Sequence, residues 1–339
     1  MIRKALIYTI IFFSLAACHH IEEWDNNAVG NFDALWTAVD EHYCFFEQKG
    51  VDWDDVYGRY RARVYNNMPQ SMLFSVCSDM LDELRDGHVN LSSAFNTSYY
   101  RNWWSDYPQN YNERLVERYY LKYDNKALGA IKYTILDENI GYMSYSSFAS
   151  GIGESNLDAI LSDFALCTGL IIDIRDNGGG DLTNSEKLVR RFISDRTLAG
   201  YMVNKTGPGH SDFSEPEPYY FEPIEAPHVR WNKPVVVLTN RSTFSAANNF
   251  ASIMQYLPNV RIVGATTGGG SGIPINMEVP NGWMVRMSAV SVLDAKGKST
   301  EFGVEPSEGC AVDLDAELAL AGIDSMIEKA IQVLTVENI

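Results

Sequence analysis

The stretch Gly169-Leu-Ile-Ile-Asp173-Ile-Arg175-Asp-Asn177-Gly178-Gly179-Gly180-Asp181-Leu182 decides how the chain is read. Leu170 to Ile174 is a short, nearly continuous apolar run, the pattern of a strand covered on both faces. Asn177 to Gly180 is a sharp glycine turn. A helical pattern follows, with Asp181 or Thr183 as its N-cap. A strand, a glycine turn and a helix start together present free backbone N–H groups at one point, which suits a developing negative charge. An ordinary strand-to-helix turn does not need three successive glycines, so this one reads as an anion or oxyanion site.

Working outward, the same pattern recurs. Pro234 to Asn240 is a second buried strand, Arg241 to Phe244 turns the chain, and Ser245 to Met254 is a helix. Ser245 either exposes its hydroxyl beside the first amides of that helix or is simply its N-cap. Val260 to Gly264 is a third strand, running into Thr266-Thr-Gly268-Gly-Gly270-Ser-Gly272. Ile140 to Tyr145 reads as a strand and Asn156 to Leu166 as a helix. Another helix follows the glycine turn to about Ser194. Leu198 to Lys233, with its Gly, Pro and aromatic residues, reads as a long surface excursion holding His210 and His228 as loop residues. Trp283 to Val292 is a hairpin or extended pair, and Leu314 to Val333 closes the chain with helix. The α/β part therefore runs from residue 127 to 339.

Residues 31–93 carry helical periodicity. Phe32, Leu35, Trp36 and Val39 share one face, Asp52 caps a second helix, and Met72, Val76, Met80 and Leu84 form a core stripe on a third. That third helix runs into Leu84-Arg-Asp86-Gly87-His88-Val89. Gly87 is expected to take the left-handed conformation that stops it, with His88 on the extended exit. Residues 94–126 form an aromatic connector, with Tyr99, Tyr100, Trp103 and Trp104 as a flap or cleft wall.

The chain has 339 residues, 27 Lys and Arg against 44 Asp and Glu, and a net charge of −17. This acidity argues against nucleic acid as a partner. Arg3 and Lys4 precede an apolar core from Ala5 to Leu15, too short to span a bilayer comfortably. Leu15-Ala-Ala-Cys18 resembles the lipobox of bacterial lipoproteins. That resemblance implies a signal peptide over 1–17, lipidation of Cys18, a tether over 18–30, and a membrane-anchored place in the cell envelope. Cys44, Cys77, Cys167 and Cys310 show no metal-site spacing. Cys44 and Cys77 either bridge or stay as buried thiols. No metal and no other cofactor is expected.

A serine nucleophile needs a base for its proton and donors for the oxyanion. Ala246 and the Gly178–Gly180 turn offer the donors, and a lysine or a histidine is the base. The pairing of Asp173-Ile-Arg175-Asp-Asn177-Gly-Gly-Gly180 with Thr243-Phe-Ser245-Ala-Ala247 resembles the tail-specific, or C-terminal-processing, serine peptidases. The resemblance extends from about Asn31 to Pro306. It implies an α/β, crotonase-like catalytic domain of repeated ββα units behind a small helical domain.

One branch of that family uses a glycine-flanked lysine, but no lysine lies between Lys233 and Lys296. That branch also usually carries a PDZ domain, for which 92–126 is too short. The other branch resembles the core of the tricorn protease, with a histidine base and a late glutamate. His88 matches the histidine, and Glu301 in Ser299-Thr-Glu301-Phe-Gly303 is the candidate glutamate. Gly87 stands where tricorn-type sites have serine.

The resemblance thus implies acyl transfer by Ser245, with His88 as base. Ala246, Gly179 and Gly178 line the oxyanion hole. Glu301 contacts His88 directly, acts through water, or is a structural carboxylate. Asp173 and Arg175 form a buried pair expected to fix the amides of the turn. The substrate would be a peptide or unfolded protein. The rival expectations are a non-catalytic peptide-binding lipoprotein on the same fold and a crotonase-type acyl-CoA enzyme.

Overall fold

The buried runs become the centre of a six-stranded sheet. In the computed structural model, which describes residues 24–336, the strands are β1 (Asn90–Ser92), β2 (Thr97–Tyr99), β3 (Lys126–Leu128), β4 (Ile131–Ile135), β5 (Ile140–Tyr145) and β6 (Gly169–Asp173), then β7 (Thr197–Asn204), β8 (Glu217–Phe221), β9 (Val235–Thr239), β10 (Val260–Gly264), β11 (Gly272–Glu278) and β12 (Met284–Leu293). The helices of eight residues or more are α1 (Ala28–His42), α2 (Trp53–Arg61), α3 (Gln70–Asp82), α4 (Glu154–Asp163), α5 (Leu182–Val189), α6 (Ala246–Met254) and α7 (Ser325–Val336). The expected signal peptide, Cys18 and most of the expected tether lie outside the described residues. Among those described, no helix is long and apolar enough to cross a membrane.

The first sheet has the order β10-β9-β6-β5-β4-β3, parallel from β10 to β5 and antiparallel beyond. Leu170, Ile172, Val235, Val237 and Ile262 face α4, α5 and α6. Ile171, Val236, Leu238 and Val263 face α7. Both faces are covered, so the strands carry no polar alternation. Each fully buried Val, Leu or Ile side chain contributes about 1.5–3 kcal/mol. This is the mixed α/β fold expected from the sequence.

The second sheet has the order β2-β1-β12-β7-β8, with β11 also on β12. Helices α1 to α3 pack on it: Phe32, Leu35, Trp53, Phe74 and Met80 share a core with Trp283, Val285 and Met287. The N-terminal helices and the late hairpin are thus one packing unit.

Several local expectations are corrected. The segment 198–233 is no plain excursion, since β7 and β8 pair in it. Their register shifts around Gly200, where a Cβ would lie 2.2 Å from the Leu293 carbonyl oxygen. Met72 is 50% exposed, leaving Val76, Met80 and Leu84 as the buried stripe. Cys44 and Cys77 stay as buried free thiols in the core beneath the helices, not a bridge. Arg85, not Gly87, adopts the left-handed conformation after α3, with φ +49°.

Asp173 and Arg175 face away from the glycine turn, toward α7. Asp173 Oδ1 accepts from Arg175 Nε at 2.9 Å, and Asp173 Oδ2 accepts from the Tyr142 hydroxyl at 2.6 Å. Arg175 Nη1 reaches Asp324 at 2.9 Å, and Asp324 Oδ1 accepts from the amides of Met326 and Ile327 at the start of α7. The pair therefore ties the sheet to α7 and does not fix the amides of the turn. Arg175→Met leaves two buried carboxylates without their cation. Its expected cost is about 3–5 kcal/mol in the free energy of unfolding, measured by urea denaturation. A loss below about 1 kcal/mol would overturn this account of the tie.

Candidate active site

Ser245 sits where β9 turns into α6. The turn is closed by the Thr243 N–H donating to the Asn240 carbonyl at 2.9 Å and by the Thr243 hydroxyl donating to the Ile174 carbonyl at 2.9 Å. Ser245 is held at φ +57° and ψ −120°. L-residues rarely adopt this backbone conformation, and it costs about 1–3 kcal/mol. The Ser245 N–H donates to the Gly269 carbonyl and its own carbonyl accepts from Asn249 N–H, both at 2.9 Å. The side chain makes no cap bond to α6. Of the two roles open from the sequence, Ser245 holds the N-cap position by its backbone alone, and its hydroxyl is free to look elsewhere.

It looks at His88, whose Nε2 lies 2.9 Å from Ser245 Oγ. The two residues, 157 positions apart, meet because β1 pairs with β12 over the cleft. The His88 backbone N–H donates to Asp86 Oδ1 at 2.7 Å. Asp86 Oδ2 accepts from the Tyr43 hydroxyl at 3.0 Å and from the Ser288 hydroxyl at 3.1 Å. Asp86 was not singled out from the sequence, although it stands only two residues before His88. Burial lowers the His88 pKa to about 4, against the raising influence of Asp86. The imidazole is therefore neutral at pH 7, and with Nε2 accepting from the serine its proton resides on Nδ1. Nδ1 is buried and has no protein partner among the described residues.

Glu301 does not reach His88 in a hydrogen bond, and this corrects the direct contact. Its Oε1 pairs with Lys49 Nζ at 2.9 Å and its Oε2 accepts from Ser271 N–H at 2.8 Å. The Glu301 carbonyl also accepts from Gly270 N–H at 3.2 Å. Burial and the nearby Asp86 charge push its pKa up, against the pull of Lys49 and the Ser271 amide. Glu301 thus fixes the loop whose Gly269 carbonyl holds the Ser245 amide. Lys49, from the short helical turn Phe46–Lys49, escaped the sequence reading.

The glycine turn lies against the serine. A Cβ on Gly179 would stand 2.7 Å from Ser245 Cβ, and one on Gly180 would stand 2.0 Å from Ala149 N. Gly178 has open space around its Cα. Asn177 shapes the turn: its Oδ1 accepts from Gly179 N–H at 2.9 Å and its Nδ2 donates to the Tyr145 carbonyl at 2.7 Å. The Gly179 amide, expected as an oxyanion donor, is therefore engaged by Asn177. The Gly178 amide has no acceptor among the described residues, and the Ala246 amide, first of its helix, has none within it. Asn240 completes the support, donating from Nδ2 to Asp176 Oδ1 at 2.7 Å.

A hollow of about 520 Å³ opens beside Ser245 and His88, walled by Tyr99, Tyr100, Trp103 and Trp104. The aromatic connector is thus the cleft wall. Trp103 stacks on Phe244 at 4.0 Å between ring centroids, and Phe244 lies against the His88 ring at 4.8 Å. This packing also accounts for Gly87, where a Cβ would lie 2.5 Å from Trp103 Nε1. Gly87→Ser should displace Trp103 and cost about 1–3 kcal/mol by overpacking. Urea denaturation and a shift in tryptophan emission read both effects. A variant with unchanged stability and emission would refute the packing account.

Among the described residues, no cluster of His, Cys, Asp and Glu is arranged to hold a metal ion. The arrangement provides a free hydroxyl in a strained turn, a neutral imidazole to take its proton, and backbone amides for an anion.

Comparison with known proteins agrees with this architecture. The sequence model of peptidase family S41 matches residues 139–308, and that of the tricorn protease C1 domain matches residues 25–82. The carboxy-terminal processing protease CtpA of Bacillus subtilis is 27% identical over 179 residues, 52% of this chain and 36% of that protein. A protein of Chlamydia trachomatis is 30% identical over 117 residues, 33% of this chain and 20% of the relative. The match therefore spans about a third or less of these curated relatives. A solved structure of a candidate peptidase from Parabacteroides merdae is 46% identical, covers 93% of this chain and 98% of its own, and superposes with a TM-score of 0.87. Mature CPAF, at 12% identity and a TM-score of 0.68 over 92% of this chain and 98% of its own, shares the fold. These matches, taken with the site they surround, place the chain in peptidase family S41.

Proposed function

We propose that this chain is a serine-type peptidase that hydrolyses peptide bonds through an acyl-enzyme on Ser245. The observation that carries the reading is the 2.9 Å contact between His88 Nε2 and the hydroxyl of a serine whose side chain makes no cap bond to its own helix. His88 takes the Ser245 proton as the oxygen attacks a peptide carbonyl. The Ala246 and Gly178 amides receive the oxyanion, each worth about 10²–10³ in rate. His88 then returns the proton to the leaving amine, and water repeats the cycle to release the acyl group. Asp86 faces the imidazolium that forms on His88. Glu301 acts as a positioning residue, through Gly270 and Ser271, and Lys49 balances its charge.

Export supports the same reading. Arg3, Lys4, the apolar core and Cys18 mark a lipoprotein signal, so the mature chain is tethered by lipid in the cell envelope and meets peptides or unfolded proteins there. The mass of the mature N-terminal peptide tests this, since a diacylglyceryl group on Cys18 is expected and is lost in Cys18→Ala. An unmodified mature N-terminus at another residue would refute it.

A fluorophosphonate probe tests the catalytic assignment. The expected result is a label on Ser245 that is absent in Ser245→Ala and strongly reduced in His88→Ala. Folded protein without label would refute the activated serine and favour a peptide-binding lipoprotein.

The pH profile tests the electrostatics. The neutral imidazole is the working form, so kcat/KM should hold as pH falls through 6.5 and drop only near pH 4, where His88 gains its proton. Asp86→Asn removes a negative charge that favours the imidazolium. It should move this limb to lower pH and reduce kcat. A limb near 6.5 in the parent, or no movement in Asp86→Asn, would contradict the placement of His88.

A further inference from the structure

Arg286 lies on β12 at the wall shared by two hollows that flank Ser245. One is the aromatic hollow of about 520 Å³, and the other is a small one of about 80 Å³ lined by Ala246, Asn249, Ile273 and Val292 among others. The strand neighbours of Arg286 are Asn90 on β1 and Asn276 on β11, both neutral. Among the described residues, the half-buried Arg286 guanidinium makes no ion pair and no hydrogen bond to protein. The charged or titratable groups that act on it are Asp86 and His88. Asp86 is already occupied by Tyr43, Ser288 and the His88 amide.

Arg286 is half-buried and, unlike the fully buried arginines of the chain, has no carboxylate within hydrogen-bond reach. Acidic residues outnumber basic ones by 44 to 27. The buried Arg175 has Asp173 and Asp324, and the buried Arg191 has Glu154 and Asp158. Partial burial penalises the Arg286 charge, and the charge of Asp86 opposes this only from a distance, since its oxygens are bound elsewhere. A guanidinium held this way offers a planar fork of donors toward the cleft, the geometry that takes a carboxylate in two parallel hydrogen bonds.

We propose that Arg286 is a specificity-determining residue that binds a carboxylate of the substrate peptide, seated in the aromatic hollow next to Ser245. The small hollow takes a short side chain on the other side of the scissile bond. The carboxylate is either the peptide's own C-terminus or an acidic side chain. The proposal rests on the peptidase reading only for the position of the scissile bond, and binding tests it without turnover.

The test uses Ser245→Ala protein, which keeps peptides intact, and fluorescein-labelled hexapeptide mixtures read by anisotropy. One arm compares free C-termini with C-terminal amides. The other, on amidated peptides, compares Asp with Asn at each position in turn. In the arm that matches the source, the carboxylate peptides should bind about 10-fold tighter than their neutral counterparts. In Ser245→Ala/Arg286→Gln that ratio should fall to about one, and in Ser245→Ala/Arg286→Glu a Lys-containing peptide should be preferred instead. Comparing two ligands on one protein cancels any effect of the substitutions on His88 or on folding. Equal ratios with and without Arg286, or no carboxylate preference in either arm, would overturn the proposal. Cleavage of unfolded casein by the unmutated chain is scored separately. If cleavage fails while the carboxylate ratio persists, the peptidase reading falls and this one stands.

Discussion

The backbone of Ser245 is the constraint on which the rest depends. At φ +57° it stores strain that nothing in its own tripeptide relieves. It persists because its surroundings over-determine it. Gly269 holds its amide, Asn249 holds its carbonyl, and the Asn177 carbonyl holds the Phe244 amide at 3.0 Å. Gly179, without a side chain, lets the neighbouring turn approach. Each hydrogen bond is worth about 1 kcal/mol net, so three of them offset a cost of about 1–3 kcal/mol. The strain turns the hydroxyl out of its own helix cap and toward His88.

The support for that turn comes from far away in sequence. The 268–272 loop is nearly all glycine, and its one side chain, the Ser271 hydroxyl, makes only a long 3.5 Å bond to Glu301. Glu301 supplies the anchor through Ser271 and Gly270, and Lys49 supplies the charge that lets a carboxylate stay there. A buried ion pair adds little net stability compared with apolar packing, so its use here is better understood as specification. It couples the seating of the N-terminal helices, which carry Lys49 and lead to His88, to the loop that holds Ser245.

What was legible in the sequence was local. The runs Leu170–Ile174 and Val235–Leu238 revealed strands covered on both faces, because burial leaves a continuous apolar signature. Ser245 and His88 each follow a recognisable break in periodicity, but their roles were legible only through the family resemblance carried by the glycine turn and the Thr243–Ala247 motif. The tertiary partners were not. Lys49 and Glu301 lie 2.9 Å apart but at opposite ends of the chain, and nothing local marks either for the other. Asn177 hides in a turn where its type is common, although its side chain fixes the glycines. Gly87 looked like a helix stop because glycine usually serves there, whereas here it makes room for Trp103. β7 and β8 were obscured by prolines, glycines and edge positions that weaken alternation.

The aromatic lid sets a chemical balance. Phe244, with Trp103 stacked on it, covers His88, and the resulting desolvation keeps the imidazole neutral and able to accept a proton at any ordinary pH. The same desolvation makes it a weak base, since the best acceptor has a pKa near the working pH. The imidazolium must therefore be stabilised as it forms, and Asp86 is the carboxylate whose charge raises the His88 pKa. Asp86 is held on one oxygen by the amide of His88 itself and on the other by Tyr43 and Ser288, so it cannot swing away when the charge appears. The carboxylate that matters electrostatically to His88 thus lies two residues before it in the chain, while Glu301 serves the serine's side of the cleft.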